Sequence, residues 1–216
     1  MKSSLLQRVS AECIGTYALV MAGCGAIIVN TQTQAPTHVG VALTFGLVVM
    51  VMIAATGHIS GAHFNPAVTF AFALTRHFPW RDVWTYIAGQ FIGALAASLT
   101  LLLLFGNVAH LGATLPAGSV WQAFGLEIVL TAFLMFVIVA VATDTRAVGQ
   151  LAAIAIGATV ALNALFAGPI SGASMNPARS LAPALVSGAW LDQWIYVVAP
   201  LLGASLGAIL YQAIRK

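Results

Sequence analysis

Long, nearly uninterrupted apolar runs separated by short polar or glycine-rich breaks set the pattern of this chain. Six runs, near residues 9–29, 39–55, 84–105, 120–142, 151–167 and 194–214, approach the roughly 17 to 25 residues that a helix needs to cross a hydrocarbon layer. Two further apolar segments, 68–74 and 181–186, are too short to cross, and each follows a Gly-rich stretch and an Asn-Pro-Ala triplet. They predict half-helices that dip in and return. Irregular backbone is tolerated at membrane depth only where protein or a water-filled cavity satisfies it, so the two dips should meet inside the bundle. The fold class expected is an all-α membrane protein, six transmembrane helices with two re-entrant half-helices.

Composition agrees with a lipid environment. With 61% hydrophobic and 6% charged residues, the chain lacks the polar side chains to cover a water-facing globule. The formal charge of +3 does not imply a nucleic-acid partner, because the eight cations form no basic stripe. Topology explains them better. Lys2 and Arg8 precede the first span, Arg76 and Arg81 separate the second and third, Arg146 lies between the fourth and fifth, and Arg215 and Lys216 follow the sixth. By the positive-inside rule both termini are cytoplasmic, and the cation-free loops 30–38 and 106–119 face outward. Arg179 is the exception. Lys2 and Arg8 ahead of an apolar run could imitate a signal peptide, but the run has the length of a full span and reads as a retained first helix. Cys13 and Cys24 lie on that helix about 16 Å apart, beyond the roughly 7 Å limit for a disulfide, and read as packing residues.

The two halves of the chain repeat each other in position. Ser60-Gly61-Ala62-His63-Phe64-Asn65-Pro66-Ala67 returns as Ser171-Gly172-Ala173-Ser174-Met175-Asn176-Pro177-Ala178, and Gly46 matches Gly157 at the same offset of 111. Glu12 and Thr16 match Glu127 and Thr131, while Tyr86 and Gly93 match Tyr196 and Gly203. This is a tandem duplication of residues about 6–106 and 120–216 within a single domain, 1–216. Three spans per half is an odd number, so the repeats enter the bilayer inverted. Gly89-x-x-x-Gly93 and Gly203-x-x-x-Gly207 offer small-residue faces for close helix contact.

Each Asn-Pro-Ala suits the start of a half-helix: Asn caps, Pro takes the first helical position where its missing N–H costs nothing, and Ala permits close approach. The Asn carbonyl oxygen would accept from its own helix, leaving the amide NH2 as a donor to the lumen. Two N-terminal dipole ends at the pore centre, each about half a positive charge, would disfavour cations and protons. Glu12 and Glu127, being carboxylates inside spans, are expected to be buried, paired or functional. His58 and His63 lack the further ligands a metal site requires and read as structural or pore-lining. Arg179, the one cation at membrane depth, supplies a fixed charge and a fork of donors.

Two Asn-Pro-Ala triplets with matched Ser-Gly-Ala flanks, one after the second span of each inverted half, resemble the signature of the aquaporin (major intrinsic protein) family over essentially the whole chain. The resemblance implies that Glu12 and Glu127 brace the re-entrant loops by hydrogen bonding. It also implies pore-facing carbonyls on Gly61, Ala62, His63, Gly172, Ala173 and Ser174, and a constriction formed by Phe45, Ala164, Ala173 and Arg179. Water-selective members typically carry His in place of Ala164; strict glycerol channels usually pair a Trp at Phe45 with an Asp at Ser180. The run from Gly157 to Ile170 looks most like the nodulin-like intrinsic protein branch. That branch implies a passive channel for water and small uncharged solutes, including glycerol, urea and arsenous or boric acid, with a water-selective channel as the alternative. A homotetramer is the family habit. Short termini and loops suggest an ungated channel of a bacterial plasma membrane. An ion-coupled transporter would need an intramembrane relay beyond Glu12 and Glu127. An enzyme would need a nucleophile, metal cluster or phosphate loop that the sequence does not offer, and no cofactor is implied.

Overall fold

The computed structural model describes residues 3–144, 146 and 151–215; Lys2 and Lys216, two of the cations used to orient the chain, lie outside the described residues. Six long helices, α1 (Leu5–Thr33), α2 (Thr37–Ser60), α4 (Trp80–Phe105), α5 (Val120–Thr143), α6 (Ala152–Ser171) and α8 (Ile195–Ile214), have the length and hydropathy to cross a membrane. Two short ones, α3 (Pro66–Leu74) and α7 (Pro177–Ser187), follow α2 and α6. At about 1.5 Å per residue the 9 and 11 residues of α3 and α7 together approach the thickness of a hydrocarbon core.

Several ends extend past the apolar runs, for local reasons. Ser4 starts α1 with a reciprocal cap, its hydroxyl accepting from Gln7 N while Gln7 Oε1 accepts from Ser4 N at 2.8 Å. At the other end Thr31 and Thr33 return their hydroxyls to the carbonyls of Ile27 and Val29, so polar residues continue the helix. The outer loop expected at 30–38 therefore shrinks to the link 34–36 between α1 and α2. The half-helices begin at their prolines, earlier than the apolar segments, because Asn65 and Asn176 cap them.

Helix backbones touch where glycines allow it. A Cβ on Gly93 would lie 2.1 Å from Cys13 O, and one on Gly207 2.1 Å from Ala132 O, so α4 packs on α1 and α8 on α5 with no side chain between them. At the crossing of α2 and α6, Gly46 and Gly157 each face the other's carbonyl oxygen. Large apolar side chains point outward instead, Leu103 being 86% exposed, as suits a surface solvated by lipid. The six-span bundle, its two half-helices and its paired arrangement of halves follow the expectation from sequence.

Gly207→Ala should lower the melting temperature of the detergent-solubilised protein, since overpacking a tight contact costs about 1–3 kcal/mol. Gly125→Ala, with no atom within 4 Å of the added carbon, should leave it unchanged or raise it, Ala being favoured in helices by up to about 1 kcal/mol. Equal losses in both variants would contradict backbone contact at Gly207.

Candidate functional site

The links 61–65 and 172–176 carry the chain from a full span into a half-helix by the same backbone path. Gly61, Ala62 and Phe64 have φ of 90, 50 and 50°, and Gly172, Ala173 and Met175 have φ of 84, 42 and 54°. Left-handed conformations at Ala, Phe and Met cost about 1–3 kcal/mol each unless the surroundings hold them. Two buried carboxylates do so. Glu12 Oε1 accepts from Ser60 Oγ at 2.7 Å and His63 N at 2.9 Å, and Oε2 from Phe64 N at 2.7 Å and Gln90 Nε2 at 2.8 Å. Glu127 repeats this, Oε1 accepting from Ser171 Oγ at 2.7 Å and Ser174 N at 2.8 Å, and Oε2 from Met175 N at 2.8 Å. Tyr86 and Tyr196 complete the support by donating to the carbonyls of Ser60 and Ser171.

Each Asn caps its own half-helix and also grips the other link. Asn65 Oδ1 accepts from Ala67 N at 2.8 Å while its Nδ2 donates to Met175 O at 2.7 Å. Asn176 Oδ1 accepts from Ala178 N at 3.0 Å while its Nδ2 donates to Phe64 O at 2.9 Å. The expectation that the whole NH2 faces the lumen is thus corrected. The carbonyls preceding each Asn would be buried without a donor, and the opposite amide supplies one N–H. An amide carries two, which leaves one on each Asn.

Two cavities run through the bundle. The inner one, about 290 Å³, is lined among others by Gly61, Ala62, His63, Asn65, Ala173, Ser174 and Asn176; the outer one, about 470 Å³, by Asn30, His38, Thr114, Gly172 and Ala173. The residues common to both are Phe45, Ala164, Ala173 and Arg179, which therefore ring the junction. Arg179 is 2% exposed, stacks over the Phe45 ring with its guanidinium carbon 4.8 Å from the centroid, and donates to Gly112 O at 2.8 Å. Among the described residues this is its one side-chain hydrogen bond, so the other donors of its fork are left for the lumen.

Gly112 belongs to the link between α4 and α5, expected from sequence as a simple outward loop. On that outer side it folds back onto the bundle through a left-handed run at Ala109, His110, Leu111 and Gly112, burying Leu111 completely. Thr114, two residues on, donates to Ser180 Oγ at 2.7 Å and accepts at its carbonyl from Gln193 Nε2 at 2.7 Å. Ser180 in turn meets Ser174 Oγ, and Ser174 Oγ donates to Asn176 O at 2.9 Å. Nothing in the hydrophobic pattern marked Gly112, Thr114 or Gln193. Tyr86 and Tyr196 were detectable, since they are matched across the repeat. His63 lines the inner cavity with its Nδ1 3.1 Å from Thr69 Oγ1, but His58 is exposed near the end of α2 and lines neither cavity. Among the described residues no group of three His, Cys, Asp or Glu could hold a metal.

Comparison with known proteins gives a consistent result. The family model described as major intrinsic protein matches residues 1–211. The chain is 56% identical to Aquaporin NIP1-1 of Oryza sativa subsp. japonica over 212 residues, 97% of this chain and 75% of that one. It is 51% identical to Nodulin-26 of Glycine max over 212 residues, covering 97% and 78%. The X-ray structure of the aquaglyceroporin from Plasmodium falciparum superposes with a TM-score of 0.87 at 25% identity, covering 98% of this chain and 97% of that one.

Replacing Glu127 by Gln keeps the shape but turns one acceptor into a donor facing N–H or O–H groups. An unsatisfied buried donor costs about 1–3 kcal/mol, so Glu127→Gln should lower the melting temperature and, in reconstituted vesicles, water conductance together. Unchanged values of both would show that the carboxylate does not hold the 172–176 link.

Proposed function

The chain belongs to the major intrinsic protein family, and on that premise we propose that it is a passive channel for water and small uncharged solutes that excludes ions and protons. The solutes we assign are glycerol, urea and metalloid hydroxides such as arsenous or boric acid. The ring at the cavity junction carries this reading: one cation, one aromatic face and two methyl groups. Arg179 offers donors to a hydroxyl or carbonyl oxygen, Phe45 offers a flat apolar wall to carbon, and Ala164 and Ala173 leave the remaining sides open. The relatives of the nodulin-like branch and the neighbour named as an aquaglyceroporin support a pore of this kind over a water-selective one.

Exclusion of cations follows from charge. The buried Arg179 and the two half-helix N-termini present positive potential to the pore, and among the described residues no Asp or Glu lines either cavity to offset it. We assign to Asn65 and Asn176 the gripping of a passing oxygen with their remaining N–H, and to the carbonyls of Gly61, Ala62, His63, Gly172, Ala173 and Ser174 the acceptor side of the same path. Glu12 and Glu127 act as braces. Residues 1–216 form one channel domain, which we take to assemble as a homotetramer with one pore per subunit.

The protein is an integral, multi-pass membrane protein. Arg8, Asp82, Asp144, Arg146 and Arg215 gather at one end through Arg8–Asp82 (3.0 Å), Arg146–Asp144 (2.7 Å) and Arg146 Nη2 to Arg215 O (2.7 Å). That clustering supports cytoplasmic termini. The relatives named above come from plants and lend a bacterial membrane no support.

In stopped-flow light scattering on proteoliposomes, glycerol, urea and arsenous acid should enter faster than into empty vesicles, alongside fast water flow. Solute rates equal to those of empty vesicles would replace the broad pore by a water-selective one. Ala164→His and Ala173→Phe should each depress solute flux more than water flux, and equal losses would remove these residues from the constriction.

A further inference from the structure

A third cavity, of about 480 Å³, opens at the end of the bundle that holds Arg8, Arg146 and Arg215, between α3 and α4. It is lined by Ala73, Arg76, His77, Phe78, Pro79 and Trp80. The backbone fixes its shape: Arg76 N donates to Ala73 O, and His77 N and Phe78 N both donate to Phe72 O at 2.8 and 3.2 Å. Arg76 itself is left-handed, with φ of 64°. Gln212 Nε2 donates to Thr75 O at 3.2 Å, tying the link to α8, and Trp80 is held edge-on against Phe70 at 5.5 Å.

Charge sets this pocket apart. The chain has five Asp and Glu side chains, all within the described residues. Glu12 and Glu127 are consumed by the links to the half-helices, Asp82 faces Arg8 and Arg81 at 3.0 and 3.7 Å, and Asp144 faces Arg146. Asp192 lies between α7 and α8, on the side of the outer cavity. Arg76 therefore has no acidic partner among the described residues. Burial, and after it the charge of Arg215, lowers the pKa of His77.

We propose that this pocket binds the phosphate of an anionic phospholipid, with Arg76 as its principal ligand. A planar guanidinium matches phosphate through paired N–H donors, and a missing counter-charge beside a membrane surface is what an anionic headgroup supplies. A lipid is favoured over free phosphate by what surrounds the pocket. Trp80 and Trp84, four residues apart on one helical face, are 51% and 76% exposed, and Leu74 is 42% exposed. Trp at such a level marks the headgroup boundary, and these apolar surfaces give acyl chains a place to lie. The assignment is independent of which solutes the channel carries.

The test is native mass spectrometry of the full chain released from nanodiscs of phosphatidylcholine mixed with phosphatidylglycerol. The wild-type protein should retain phosphatidylglycerol preferentially. Arg76→Asn, chosen because Asn tolerates a left-handed backbone, should lower that preference about fivefold, the effect of one surface cation, and Arg76→Lys should restore much of it. Arg81→Gln, which removes a neighbouring cation outside the pocket, should keep the preference, and all three variants should conduct water as the wild type does. Equal losses in Arg76→Asn and Arg81→Gln would reduce the effect to general surface charge and overturn the site. So would full displacement of the retained lipid by millimolar inorganic phosphate, which would identify free phosphate as the ligand.

Discussion

The two five-residue links of irregular backbone inside the bundle present N–H groups outside any helical ladder, and each such group left unpaired at bilayer depth costs several kcal/mol. Glu12 and Glu127 remove that penalty by accepting from the N–H of His63 and Phe64 and of Ser174 and Met175. Because the N–H groups are turned toward the carboxylates, the links are held in a left-handed path that Ala, Phe and Met would not otherwise keep. The geometry of both half-helix starts depends on this grip. A carboxylate in a span is expensive, and here its cost is offset by three or four hydrogen bonds to groups that would otherwise be stranded.

Once the links are fixed, the meeting of the half-helices follows. Asn65 and Asn176 each donate to a carbonyl of the opposite link, so neither half can shift without breaking the other's bond. The second link carries Ala173 directly, and α7 starts Arg179 three residues past its cap. The position of the cation is thus inherited from Glu127 through Asn176, and trimmed from the outer side by Gly112 O. The outer end of the pore is built by three segments far apart in sequence, which is why a single change in any of them can be felt at the ring.

How much of this was legible in the sequence depended on whether a feature repeats. The spans, the half-helices and the inverted halves follow from apolar length and from duplicated triplets, and they appear in the structure with ends shifted by capping at Ser4, Asn65 and Asn176. Glu12 and Glu127 were visible because a carboxylate inside an apolar run is anomalous. Gln90, Gly112 and Thr114 were not. They have no counterpart that marks them in the other half, and the inward turn of 109–112 rests on backbone conformation that composition does not encode. The amide pairing of Asn65 with Met175 was hidden for a different reason: it joins residues whose proximity exists only after both halves have folded.

The repeat also isolates what the two halves do not share. With the offset of 111 that relates Gly46 to Gly157, Phe45, Ala164, Ala173 and Arg179 correspond to Ile156, Ile53, Ala62 and Val68, and all four counterparts line the inner cavity. Symmetry of the backbone therefore creates two equivalent rings, one at each end of the half-helix junction. Only the outer one has a cation and an aromatic face; the inner one is entirely apolar. The support layer of Glu, Ser and Tyr is kept nearly identical in both halves because both links need the same N–H groups satisfied. The ring side chains carry no such obligation, so a cation and an aromatic face stand at one end only of a scaffold whose support is alike at both.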